Sequence, residues 1–220
     1  MTKQYIIESI ALAVLLTALS YGIGLWAGWI VALNWLEVFA VFTSYSCTWL
    51  CTRQSRWNYP IGVITTAAYS VLFWQWGMIA LAIFNLYLVG SLIYGWFRWG
   101  NDEVTRPVTR IPFKWYTGYG AIGLIILGLF LLANLMFNPT GLAGLNPIDV
   151  GLAVASGVAQ LMLDNKKLEN WTLWAGINVI SIPFFLHSGL TLVAFQYIFF
   201  LINTVIGHIE WKKTMENKNA

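Results

Sequence analysis

The sequence predicts an all-α membrane protein with eight transmembrane helices, and three observations lead there. First, of 220 residues 59% are hydrophobic and only 10% are charged, and mean hydropathy is +0.68. A soluble domain carries roughly 25% charged residues, so this surface suits lipid rather than water. Second, the apolar residues fall into eight stretches of spanning length. Third, all twelve Lys and Arg residues fall in alternate connections between those stretches.

A span needs about 20 mainly apolar residues, because ~30 Å of hydrocarbon is crossed at ~1.5 Å per residue. The opening stretch covers about 5–33. Its apolar run from Ile6 to Leu33 is too long for the ~7–15-residue core of a signal peptide, so it reads as a span. Next come 35–52, 58–75 and 78–97, then 115–136, and finally 148–163, 171–187 and 190–210. In lipid the backbone must bond within each segment, which makes these stretches helices, and no alternating barrel pattern is present. Thirteen Trp and ten Tyr suit a chain with two membrane–water interfaces.

The charges orient the bundle. Lys3 precedes the first span, Arg53 and Arg56 follow the second, and Arg98, Arg106, Arg110 and Lys114 follow the fourth. Lys166 and Lys167 follow the sixth, and Lys212, Lys213 and Lys218 follow the eighth. The other connections, at Asn34, Gln75–Gly77, Phe137–Pro147 and His187–Gly189, have none. Positive residues stay inside, so both termini are expected in the cytoplasm of a cell whose inner membrane holds the chain. A net charge of +3 without a long basic run gives no reason to expect a nucleic-acid partner.

A shift of 112 positions aligns residues 37–99 with 149–211 without gaps. Asn58/Asn170, Gly77/Gly189, Gly95/Gly207 and Trp99/Trp211 coincide, as do Ser44/Ser156 and Phe73/Phe185. One helix separates the two units, so they share an orientation and should be related by a pseudo-twofold axis along the membrane normal. The expected organisation is an additional helix over 1–34, a three-helix repeat over 35–99, and a cytoplasmic loop with a linking helix over 100–147. A second repeat over 148–211 and a cytoplasmic tail over 212–220 complete it.

Polar side chains at membrane depth face a bundle interior or a cavity. In the seventh span Trp171, Trp174, Asn178 and Ser181 share one helix face, and their mates are Tyr59, Gly62, Thr66 and Tyr69. Ser44 and Thr48, like their mates Ser156 and Gln160, stand four apart. Asn85 and Ser91 lie on the fourth span, and Gln196, Tyr197, Asn203 and Thr204 on the eighth. Together these predict a polar cavity with aromatic walls, against the alternative that Ser, Thr, Asn and Gln glue helices together at ~0.6–2 kcal/mol each. Asn58 and Asn170 are expected as helix caps, with Pro60 in the first turn. Glu37 and Asp149 suit helix N-termini.

No charged residue or histidine falls near the middle of a span, and no nucleophile–base pair, phosphate loop or metal cluster can be assembled. Catalysis and ATP-driven pumping by this chain are therefore not expected, and no cofactor is. Cys47 and Cys51 sit four apart within one apolar helix, where a disulfide is disfavoured and ordinary apolar packing is expected.

The stretch RWNYPIGVITTAAYSVLFWQWG with IYGWFRWG, and later LENWTLWAGINVISIPFFLHSGL with IGHIEW, resemble the two halves of the PnuC family of vitamin carriers. The resemblance covers about 35–213. It implies a 3+1+3 helix core related to SWEET sugar carriers, a homotrimer, and facilitated diffusion of nicotinamide riboside. A cytosolic kinase then traps the product. Relatives with the same fold carry thiamine, riboflavin or other nucleosides, and a ligand-binding subunit needing a partner ATPase is the alternative from another class. Trp174 and Asn178 match the family's W-x-x-x-N, where substrate contacts are expected. This chain has Thr65 and Thr66 where the resemblance leads one to expect Asn, and Asn85 where it leads one to expect Gln. The candidate substrate-binding set is thus Trp171, Trp174, Asn178 and Ser181 with Thr65, Thr66, Tyr69 and Asn85. Thr48, Gln160, Gln196, Tyr197 and Asn203 complete it.

Overall fold

The computed structural model describes residues 2–30, 33–77, 79–100, 106–143, 145–187 and 191–219. Within them the chain forms eight α-helices: α1 Thr2–Trp26, α2 Trp35–Thr52, α3 Asn58–Gln75, α4 Ile79–Trp99, α5 Tyr116–Phe137, α6 Pro147–Asp164, α7 Asn170–His187 and α8 Thr191–Asn219. A 3₁₀ turn at Phe113–Trp115 leads into α5. No strand is present among the described residues, and the one isolated bridge joins Thr109 to Lys167.

Five helices, α1, α4, α5, α6 and α8, are long and apolar enough to cross a membrane by length and composition. The other three, α2, α3 and α7, have 18 residues each. Their length of about 27 Å nearly matches the hydrocarbon thickness. Each carries several Ser, Thr or Asn residues, and these lower its mean hydropathy.

Helix bounds coincide at a separation of 112 residues. Helix α2 maps onto α6, α3 onto α7, and α4 onto the first 21 residues of α8. The turns agree too: Gln54 and Lys166, both non-glycine, adopt left-handed backbone with φ of 56° and 47°. The bonds Gln54 N–H to Cys51 O and Ser55 N–H to Leu50 O recur as Lys166 N–H to Leu163 O and Lys167 N–H to Met162 O. Within each unit the middle helix packs on its two neighbours, and across the units α2 meets α8 while α4 meets α6.

Two aromatic centres tie the units together near the turns. Trp99 and Trp211 lie with ring centroids 5.9 Å apart, both almost wholly buried. Trp99 Nε1 donates to Leu163 O at 3.4 Å, and Trp211 Nε1 donates to Cys51 O at 3.3 Å. Gly95 and Gly207 make room for the mate residues Tyr59 and Trp171. A Cβ on Gly95 would fall on the Tyr59 ring, and one on Gly207 would come within 2.5 Å of the Trp171 ring.

Three sequence expectations change. The first helix ends at Trp26 rather than near 33, because Gly28 turns left-handed at φ 72° and the N–H groups of Trp29 and Ile30 close on Gly24 O. The last helix runs to Asn219, so 212–219 continues α8 rather than forming a separate tail. Asn58 and Asn170 are not caps: each is a buried first helical residue whose Nδ2 donates backward, to Ser55 O at 2.7 Å and to Lys167 O at 2.6 Å. The side chains that do cap are Asn34, accepting from Leu36 and Glu37 N–H, and Asn146, accepting from Ile148 N–H. Gly189, and with it most of the predicted outer turn 187–189, lies outside the described residues.

Residues 106–112 strap across the α6–α7 turn. Thr109 N–H donates to Lys166 O and Leu168 N–H to Thr109 O, both at 3.0 Å, and Ile111 N–H donates to Glu169 Oε2 at 3.0 Å. Lys167 Nζ reaches Thr109 Oγ1 at 2.8 Å, and burial there lowers the lysine pKa.

Candidate functional site

A cavity of about 260 Å³ lies between the two units, bounded by α2, α3, α4, α6, α7 and α8. Helical spacing puts the polar faces of these helices there. On α7, Trp171, Trp174, Asn178 and Ser181 all line it, and Tyr69, Thr65 and Thr66 line it from α3. Thr48 and Gln160 face it from α2 and α6, Asn85 from α4, and Gln196 and Tyr197 from α8. Asn203 does not. Its Nδ2 donates to Thr48 O at 3.2 Å and its Oδ1 accepts from Thr52 Oγ1 at 3.0 Å, so it joins α8 to α2 away from the cavity. That is the helix-glue alternative realised at one position.

The cavity's polar atoms divide into spent and unspent. The threonine hydroxyls are spent on their own helices: Thr48 Oγ1 on Ser44 O, Thr65 Oγ1 on Ile61 O and Thr66 Oγ1 on Gly62 O. Asn85 Nδ2 likewise donates to Leu81 O at 2.9 Å. Asn178 Nδ2 donates to Thr204 Oγ1 at 3.0 Å, which leaves its carbonyl oxygen for the cavity. Tyr69 OH donates to Gln196 Oε1 at 2.8 Å, which turns the Gln196 amide nitrogen the other way. That nitrogen, Trp171 Nε1 and Trp174 Nε1 are buried and have no hydrogen-bond partner among the described residues. An unmade buried bond costs ~1–3 kcal/mol, and these three donors belong to residues that line the one cavity.

Aromatic rings form the walls. Tyr69 stacks on Phe73 at 5.6 Å, and Tyr197 stacks on Phe185 at 5.2 Å. Trp171 meets Trp211 edge-on at 5.3 Å at the opposite, turn-side end. Ser181 shares a hydrogen bond with the Tyr197 hydroxyl.

Several lining residues escaped the sequence reading. Asp149, placed there as a helix-end carboxylate, lines the cavity at the start of α6. Cys47, Cys51 and Asn58 line it at the other end, with Cys47 Sγ donating to Asn58 O at 3.2 Å. The largest omission is Asp164, fully buried beside this end. Its Oδ1 accepts from Tyr59 OH at 3.0 Å and from Gln160 Nε2 at 2.9 Å, and its Oδ2 accepts from Ser91 Oγ at 3.1 Å. Its place beside two lysines disguised it as a loop residue. The four-residue spacing from Gln160 was the available signal.

Helices with lipid-type outer faces, packed around a cavity with aromatic walls and unmade hydrogen bonds, define a multi-pass membrane protein with room for a small molecule inside. Comparison with known proteins narrows this class. Residues 34–213 match the family described as nicotinamide mononucleotide transporter, and the chain belongs to that family, the PnuC transporters. It is a transporter of the inner membrane, not an enzyme. The nicotinamide riboside transporter PnuC of Escherichia coli (strain K12) is 24% identical over 213 residues, covering 86% of this chain and 89% of that one. The PnuC protein of Haemophilus influenzae is 27% identical over 197 residues, covering 84% and 83%. In fold, the chain resembles the crystal structure of the vitamin B3 transporter PnuC, with a TM-score of 0.73 and 18% identity. The match covers 95% of this chain and 92% of that one.

Proposed function

We propose that this protein carries nicotinamide riboside across the inner membrane by facilitated diffusion, through the central cavity. The observation that carries the reading is the trio of unpartnered donors, Trp171 Nε1, Trp174 Nε1 and Gln196 Nε2, set among aromatic walls. A nucleoside with a cationic pyridine ring offers sugar and amide oxygens to such donors and a positive face to the aromatic rings. Each cation–π contact contributes ~0.5–2 kcal/mol. The names of the E. coli and H. influenzae relatives support the substrate.

All eight helices are read as spans, in a 3+1+3 plan whose units 35–99 and 148–211 are parallel repeats around the site. The coincident helix bounds and turns support this. Both termini are placed in the cytoplasm. Arg53, at the end of α2, lies 3.7 Å from Glu8 of α1 and 3.9 Å from Glu210 of α8, so both chain ends share the side that carries the basic turns. The working form is a homotrimer, and a cytosolic kinase acts on the delivered nucleoside. Of the thirteen candidate site residues, all except Asn203 are retained as substrate-binding.

Uptake into proteoliposomes containing only this protein tests the proposal. Equilibration of labelled nicotinamide riboside without ATP or an ion gradient is expected. Equilibration of thiamine instead would change the substrate, and binding without uptake would point to a subunit that needs an ATPase.

A further inference from the structure

We infer that Asp164 fixes which face of the Gln160 amide is presented to the cavity, and thereby selects a cationic ring bearing a carboxamide over the same ring bearing a carboxylate. The inference rests on the reading of the cavity as a nicotinamide riboside site and names what distinguishes its substrate.

Both carboxyl oxygens of Asp164 act as hydrogen-bond acceptors. Asp164 draws three donors, from α3, α4 and its own helix, and is fully buried among them. Gln160 meets it with its NH₂ group, which sits 2.9 Å from Oδ1. The amide is planar, so its carbonyl oxygen is turned the other way. Gln160 lines the cavity, and no protein donor reaches that oxygen among the described residues. Without Asp164 the amide could turn either end inward. With Asp164 the cavity receives an acceptor.

The ring of the substrate belongs at this end. Trp171 lines the cavity and packs with Cys51, Tyr59 and Leu163 in the cluster beside Asp164, and Trp174 packs against that cluster. These are the large aromatic faces a cation would seek. Lys166, the nearest cation along the chain, holds its Nζ over Trp99 at 4.4 Å and against Gln54 Oε1 at 3.3 Å. Neither of these residues lines the cavity. A carboxamide on the ring gives the Gln160 oxygen an N–H donor. A carboxylate at the same place sets oxygen against oxygen, and a site built for a hydrogen bond rejects such a ligand strongly.

Purified full-length protein is titrated with nicotinamide riboside and with nicotinic acid riboside, its carboxylate analogue. The wild type is expected to prefer the amide by about tenfold or more. Gln160→Ala should bring the two affinities within about twofold of one another. Asp164→Asn should lower the preference by a similar factor, and adding it to Gln160→Ala should change nothing more, because both act through one contact. Ser91→Ala touches only Oδ2 and should keep the wild-type ratio. A Gln160→Ala protein that retains that ratio overturns the inference, whether or not Asp164→Asn folds. So do single effects that multiply in the double variant. If the wild type binds neither compound, the substrate reading falls and this inference with it. Binding with unchanged ratios removes the inference alone.

Discussion

Helix α6 meets α4 much as α2 meets α8, yet the two junctions are chemically different. At the first, Asp164 accepts from Ser91 of α4, Tyr59 of α3 and Gln160. At the second, the positions 112 residues away hold Thr52, Asn203, Trp171 and Thr48. There Thr52 Oγ1 donates to Asn203 Oδ1, and Asn203 Nδ2 to Thr48 O. The backbone scaffold is shared, while the charge and the cavity-facing amide belong to one side. A substrate with two unlike ends, a charged ring and a sugar, needs a site without internal symmetry. The difference between the junctions supplies one on a nearly symmetric frame.

The scaffold should respond symmetrically. Trp99→Ala and Trp211→Ala each remove a buried indole that bonds across to the other unit. Each should cost about 3–5 kcal/mol of stability, read as a lowered unfolding temperature in detergent. A large loss at one tryptophan and none at the other would break the equivalence. Glycine positions should respond less and unequally. At about 1–3 kcal/mol for overpacking, Gly95→Ala should exceed Gly207→Ala. Its Cβ would meet both the Tyr59 ring and, at 2.5 Å, Asp164 Oδ1, whereas at Gly207 the three nearest atoms all belong to the Trp171 ring.

Much of this frame was legible in the sequence, because membrane physics writes it in coarse signals. Helical stretches of spanning length and the coincidence of Trp99 with Trp211 needed no contacts to be read. The cavity was legible where polar residues recur at helical spacing, as on α7. Two things were hidden. Asn203 shares its helix with Gln196, but an amide at membrane depth satisfies a cavity or a neighbouring helix equally well, and only packing decides. The opening helix looked like an addition, yet α1 lies against α2 and α8 as α5 lies against α6 and α4. Their buried seams, Ala13, Thr17 and Tyr21 against Ile126, Phe130 and Asn134, run 113 residues apart. The chemistry differs at every one of these positions, and the register is one residue off that of the other helices, so self-alignment passes over it.

At the cavity, asymmetry should appear as binding without loss of fold. Trp174→Ala removes an unpartnered indole N–H and an aromatic face, and Asn178→Ala removes a carbonyl held inward by the bond to Thr204. Each should weaken nicotinamide riboside binding about tenfold, measured by titration calorimetry. Unfolding temperatures should stay close to that of the wild type. Unchanged affinity in both would mean that the α7 stripe is packing.

The smallest effect separates glue from site most cleanly. Asn203→Ala deletes the bridge between α8 and α2, and bonds of this kind between membrane helices average ~0.6 kcal/mol and reach ~1.7. Thr52 lies at the end of α2, where its hydroxyl can fall back on Thr48 O, already 3.2 Å away, so little is left unsatisfied. A small drop in unfolding temperature is therefore expected, with nicotinamide riboside affinity within about twofold of the wild type. Gln160→Ala makes the same kind of truncation on the other junction and should alter ligand preference. If Asn203→Ala shifts affinity as much as Gln160→Ala does, the second junction also reaches the substrate and the division between the halves fails.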